Sequence, residues 1–119
     1  MGALKLDLIS PSGSPQPNFF DQRRIERALE ERVRYRYVTP TVVPVPDGYR
    51  IESPCCSRNV DPAGGVVDVA LLQYRADVPG WRLFRKEHAS GQWLPHSDFR
   101  RLTEALQLLN ADPDRQFWQ

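Results

Sequence analysis

Trp81-Arg82-Leu83-Phe84-Arg85-Lys86, then Ala89-Ser90-Gly91, then Gln92-Trp93-Leu94-Pro95-His96 is the stretch that decides how this chain is read. Two short runs rich in aromatic and apolar residues, joined through a Gly-containing turn, predict a β-hairpin. Just upstream, Val66-Val67-Asp68-Val69-Ala70-Leu71-Leu72-Gln73-Tyr74 is the strongest strand of the sequence. Its near-continuous apolar run predicts a central strand buried on both faces. Asp77-Val78-Pro79-Gly80 turns that strand into Trp81, so three antiparallel strands follow one another.

Downstream the period changes from two to between three and four. Phe99, Leu102, Leu106 and Leu109 form one helical stripe, with Ala105 and Leu108 beside it. Asp98 is the expected N-cap of this helix, and Asp112-Pro113 its stop. Phe117 and Trp118 then close the sequence region. Burying each contributes about 2 kcal/mol, so the tail is expected to fold back and cover an open edge of the core.

Upstream, Ile25, Ala28, Leu29 and Val33 recur at helical spacing from Phe20 onward, with Asn18 as N-cap and Asp21 in the first turn. The period then shortens. Arg34-Tyr35-Arg36-Tyr37-Val38 alternates, and so, roughly, does Thr41-Val42-Val43-Pro44-Val45. Pro40 and Pro44 cannot donate to a ladder, which predicts an edge or a broken strand. Pro46-Asp47-Gly48 is a turn in which Gly is expected to take the positive φ, and Tyr49 to Ser53 returns as the partner strand. The sum is an α+β fold: an antiparallel sheet of four to five strands flanked by an N-terminal and a C-terminal helix.

Residues 1–17 are rich in Pro, Ser and Gly and read as a flexible leader, leaving 18–119 as a single domain. Leu4, Leu6 and Leu8 alternate within the leader and could add a strand. Hydrophobic residues make up 40% of the 119 and charged ones 26%, which supports one globular core. A net charge of +1 gives no global case for nucleic acid or an acidic membrane surface. No apolar run approaches the roughly 20 residues that span a bilayer, and the first ten residues lack a basic segment followed by a long apolar one. The expected compartment is the cytoplasm, where thiols stay reduced.

The order of elements resembles the bacterial family known as domain of unknown function 3024. The residues that carry the resemblance are Arg24-Ile25-Glu26, Glu31-Arg32-Val33, Ala70 to Tyr74, Trp81-Arg82-Leu83-Phe84, Trp93-Leu94-Pro95-His96, and the ending Leu109-Asn110-Ala111-Asp112-Pro113 with Phe117-Trp118. It covers about residues 20–119, and the loop from Cys55 to Gly65 departs from the pattern. The resemblance implies a bacterial cytoplasmic protein and brings no catalytic residue and no cofactor.

Four constellations carry candidate chemistry. The hairpin interleaves cations and histidines with aromatics: Arg82, Arg85, Lys86, His88, Trp93 and His96 form the candidate binding surface. Cys55, Cys56, His88 and His96 offer four borderline or soft ligands for zinc, although adjacent cysteines are poorly spaced for it. A Cys nucleophile beside Arg58, with either His as base, uses the same residues. Asp61, Asp68 and Glu87 form a carboxylate set that lacks the acid-x-Lys pairing of metal-dependent nucleases, since Phe84 stands where the acid belongs.

Arg23, Arg24, Arg27, Arg32, Arg34 and Arg36, with Tyr35 and Tyr37, form a second basic and aromatic stretch, interrupted by acids. No Gly-rich phosphate loop is present, because Gly64-Gly65 precedes a strand. The expectation is a non-catalytic binding or interaction module with a protein or nucleic-acid partner and no membrane. A nucleic-acid binder and a metal or thiol site are the alternatives, and a homodimer through an exposed edge strand is a third reading.

Overall fold

The computed structural model describes residues 15–34, 36, 38–54, 65–77 and 79–118. Cys55, Cys56, Arg58, Asp61, Tyr35 and Tyr37 lie outside them, as do Leu4, Leu6 and Leu8. Helix α1 spans Phe19–Ala28 and tightens into one 3-10 turn, Leu29–Glu31. Five strands follow: β1 Thr41–Val45, β2 Gly48–Pro54, β3 Val66–Arg75, β4 Gly80–Glu87 and β5 Gln92–Phe99. Helix α2, Leu102–Ala111, completes an α+β fold.

The sheet is antiparallel throughout, and its spatial order β1-β2-β3-β4-β5 is the chain order. Every sheet neighbour is therefore a hairpin neighbour. In the β1–β2 turn, Asp47 rather than Gly48 takes the positive φ, at 65°. Gly48 is needed for a different reason: a Cβ there would lie 1.8 Å from the carbonyl oxygen of Leu72 on β3.

Both helices pack on one face of the sheet. Ile25 and Leu29 meet Leu102, Ala105, Leu106 and Leu109 over Tyr49, Ile51, Leu72, Trp81 and Leu83. Trp81 sits among rings, stacked on Tyr49 at 6.2 Å and edge-on to Tyr74 at 5.3 Å. Phe117 and Trp118 are buried, as the sequence predicts, and the Trp118 indole N–H donates to the Leu109 carbonyl at 2.9 Å.

Several local expectations are corrected. Strand β3 is central but is buried on one face only. It carries a bulge: Ile51 pairs with Ala70 and Glu52 with Asp68, leaving Val69 as the extra residue. A bulge puts two neighbours opposite one partner, so Val69 and Ala70 are both buried beside Ile51. Asp68 and Leu71 lie on the other face. An apolar run here means a bulge, not a two-sided core.

Val33 is 64% exposed, because the 3-10 turn shifts the angular phase and brings Arg32 inward instead. Phe20 is likewise exposed. Among residues 34–38, the described positions 34, 36 and 38 are not in a strand. Asp98 and Phe99 end β5, and α2 begins at Leu102 with Arg101 as N-cap. The Arg101 N–H donates to the Glu104 carboxylate at 3.3 Å.

The start of α1 is fixed by polar contacts. Asn18 caps it by accepting the Asp21 N–H at 2.7 Å. Asp21 is fully buried, and its carboxylate accepts from Gln16 (2.9 Å), Asn18 (3.1 Å) and Arg24 (2.9 Å). The Tyr49 hydroxyl accepts the Asn18 N–H at 2.8 Å and donates to the Gln16 side chain at 2.7 Å. Gln16 belongs to the stretch read as leader, and these bonds join it to the sheet.

Candidate functional site

Strand alternation assigns the hairpin residues to faces. On β4, Trp81 and Leu83 point to the helices, so Arg85 shares their side, opposite Ala70 and Leu94. Arg82, Phe84 and Lys86 take the outer face. On β5 the register slips between Leu83 pairing with Ser97 and Phe84 pairing with Pro95, leaving His96 as the bulged residue. His96 turns to the helix side, edge-on to Phe117 at 5.1 Å, with its Nδ1 2.9 Å from the Ser97 hydroxyl.

The six residues singled out in the sequence therefore divide. Arg82, Lys86 and Trp93 converge on the outer face, with His88 alongside. Arg85 and His96 lie on the helix side. Plain alternation along β4 and from Trp93 along β5 already implies this division; what the His96 bulge changes is the facing of Ser97, Asp98 and Phe99 beyond it.

The outer face has an apolar centre. In register across β1 to β5 run Val43, Arg50, Leu71, Phe84 and Pro95. Leu71, Phe84 and Trp93 are half-buried and Pro95 is exposed. The Lys86 ammonium sits 4.7 Å from the centre of a Trp93 ring, a cation–π contact.

Around that centre the cations are matched by acids. Arg82 grips Asp98 with two hydrogen bonds, 2.8 and 3.2 Å. Lys86 pairs with Asp68 at 2.9 Å. Arg50 pairs with Glu52 at 2.9 Å and with Asp68 at 3.4 Å. Among the described residues these three cations face three carboxylates, so the surroundings of the apolar centre are neutral. The Arg82 bonds hold the Asp98 carboxyl below the usual carboxylate range and raise Arg82 in turn. His88 is held below its ordinary pKa by partial burial, then by the Lys86 charge, with Asp68 opposing.

Of the metal set only His88 and His96 fall among the described residues, since Cys55 and Cys56 lie outside them. His88 feels Lys86 and Asp68 on one side of the sheet, while His96 contacts Phe117 on the other. No group of three or more His, Cys, Asp or Glu side chains able to hold a metal occurs among them. Asp68 is committed to Arg50 and Lys86, and Glu87 accepts the Ser90 hydroxyl at 2.6 Å.

The basic stretch near α1 is also largely spent on the fold. Arg24 pairs with Asp21 and Arg23 with Glu26. Arg34 reaches the Asp112 carbonyl and the Ala111 carbonyl. Arg32 is only 4% exposed. Its guanidinium donates to the carbonyls of Leu29 and Val38 and lies 5.2 Å from the centre of a Trp118 ring. Burial lowers its pKa, helped by Arg36, whose guanidinium donates to the Arg32 carbonyl at 3.1 Å. An open groove of about 580 Å³ lies here, and of its cations Arg27 and Arg36 have no carboxylate partner among the described residues, Arg36 donating to a backbone carbonyl instead. Sequence reasoning marked Arg32 as a surface cation and missed its role in packing.

These features define a small α+β domain built on a five-stranded meander, with an ion-paired, apolar-centred outer face. The chain belongs to the family described as domain of unknown function (DUF3024), whose model matches residues 14–119. No curated protein and no solved structure matches the chain. No helix among the described residues is long and apolar enough to cross a membrane.

Proposed function

We propose that this protein is a non-catalytic binding module that docks a protein partner on the outer face of its sheet. One observation carries the reading: the cations of that face, Arg50, Arg82 and Lys86, are already neutralised by Glu52, Asp68 and Asp98 around Leu71, Phe84, Trp93 and Pro95. A phosphate backbone draws its affinity from cations that release counterions, and a neutral face offers little of that. Protein interfaces have an apolar and aromatic centre with a polar rim, which matches this face. Pairing through a sheet edge is disfavoured, because β1 carries Pro44 and β5 carries both Pro95 and the His96 bulge.

The test places the photo-crosslinking residue benzoylphenylalanine at position 93, or at the exposed position 107 on α2, in the cell that makes the protein. A discrete adduct from position 93, absent from 107 and lost when Phe84→Asp is added, is expected. No adduct, equal adducts from both positions, or an adduct indifferent to Phe84→Asp would overturn the reading. Fluorescence anisotropy with single-stranded and duplex oligonucleotides at about 50 mM salt is expected to show no saturable binding. Binding that weakens steeply with salt would replace the protein partner by a nucleic acid.

A further inference from the structure

Beyond the docking face, a cleft of about 270 Å³ opens at the end of the sheet, where the β3–β4 turn meets the end of β5. Three guanidinium side chains line it: Arg75, Arg82 and Arg100. Arg75 is braced by Asp77 through Nε and Nη2 at 3.3 and 3.1 Å. Arg82 is braced by Asp98 through the same pair of nitrogens. A guanidinium has five N–H donors in a fixed fork, so each of these keeps donors for another acceptor. Arg100 is exposed and has no ion pair among the described residues.

The apolar wall is formed by Pro79, Trp81 and Phe99. Trp81 supplies the second, independent sign. Its side chain is 1% exposed, and its indole N–H has no acceptor among the described residues. Buried donors are nearly always satisfied, and an orphan points to an acceptor still to arrive. Indole nitrogen only donates, as do the three guanidiniums, so the missing partner is an acceptor, and the unpaired Arg100 favours an anionic one. Among the described residues Asp77 and Asp98 balance Arg75 and Arg82, which leaves one positive charge, that of Arg100, unanswered at the cleft.

We propose that this cleft binds a small organic anion, a carboxylate carried on an apolar body. The carboxylate sits in the fork of Arg100, with Arg75 and Arg82 alongside, and the body lies on Pro79 and Phe99 at the edge of the buried Trp81. Planar carboxylate matches the guanidinium fork in a bidentate way. The volume limits the ligand to a single ring or a short chain.

The experiment follows the assigned indole N–H resonances of Trp81, Trp93 and Trp118 in the 15N-labelled full chain. The probes are sodium benzoate, sodium phosphate, and sodium chloride at matched ionic strength. Benzoate is expected to move the Trp81 resonance saturably, leaving Trp93 and Trp118 in place. Arg100→Ala is expected to weaken binding at least tenfold while all three starting resonances stay put, and Arg100→Lys to recover part of it. A Trp81 resonance that benzoate leaves unmoved overturns the site. So does an Arg100→Ala protein that binds like the parent. Phosphate binding as tightly as benzoate removes the apolar body from the proposal.

Discussion

Asp112 shows how much one side chain can organise. It ends α2 in the left-handed region, at φ 40°. Its carboxylate then accepts the backbone N–H groups of Gln116, Phe117 and Trp118 at 2.8 to 3.3 Å. It is 1% exposed, so those bonds form away from water. Hydrogen bonds to a charged group are worth about 1.5–3 kcal/mol, and removing the acceptor leaves buried donors unmet. Asp112→Ala is expected to lose about 2–4 kcal/mol in urea unfolding, and Asp112→Asn to lose less. Equal losses would mean that the charge is irrelevant.

His88 gives a pH dependence at the same scale. Its folded pKa lies below its ordinary value, so above about pH 6.5 both states are neutral there and His88 is silent. Below that, the unfolded chain takes a proton that the folded one refuses, and stability falls as the pH drops. The fall ends once the folded imidazole is itself protonated. Unfolding at intervals between about pH 7.5 and pH 5 should show this slope in the parent and a flatter one in His88→Gln. A steeper profile for the variant would reverse the sign of the assignment.

At the scale of elements, the two bulges explain what the sequence made visible and what it hid. The antiparallel order, both helices and the buried Phe117-Trp118 tail follow from periodicity, turns and caps, because those signals are local. Asn18 was legible as a cap for the same reason. The faces were legible only up to the bulges, because Val69 and His96 each add a residue to one strand only. A period-two reading places Arg85 and His96 correctly, but it misplaces Ser97 to Phe99 beyond the second bulge and takes β3 for a strand buried on both faces. Arg32 was hidden by the 3-10 turn, which moves the inward direction by part of a residue step.

The bulge also predicts an asymmetry between deletions. Removing Val69 restores a regular ladder and leaves Asp68 outside and Ala70 inside. Removing Leu71 reverses the facing of everything on one side of it. The Val69 deletion is expected to keep a dispersed amide spectrum with reduced stability, and the Leu71 deletion to lose it. Both deletions collapsing alike would show that the bulge residue is not a spacer.

Across the whole molecule, the sheet is joined only by successive hairpins, while its ends are held by bonds between distant residues. The Asn110 side chain donates to the Ala28 carbonyl at 2.8 Å, and the Val33 N–H donates to the Asn110 carbonyl at 3.0 Å. Trp118 completes this closure against Arg32. Local pairings form early because they need little loop closure, and distant ones come after. Trp118→Phe, which loses the indole bond, is expected to speed unfolding and leave the folding rate unchanged. Leu83→Ala, inside the central hairpin, is expected to slow folding. A Trp118→Phe protein that folds as slowly as Leu83→Ala would contradict this order.

The carboxylate of Asp112 has a last consequence in the protection of the chain from solvent deuterium. Its three amide partners are attached to the part of the molecule expected to order last, so they should share in whatever brief openings release it. The Phe117 and Trp118 amides, though buried, should exchange well before those of Leu72 and Leu83.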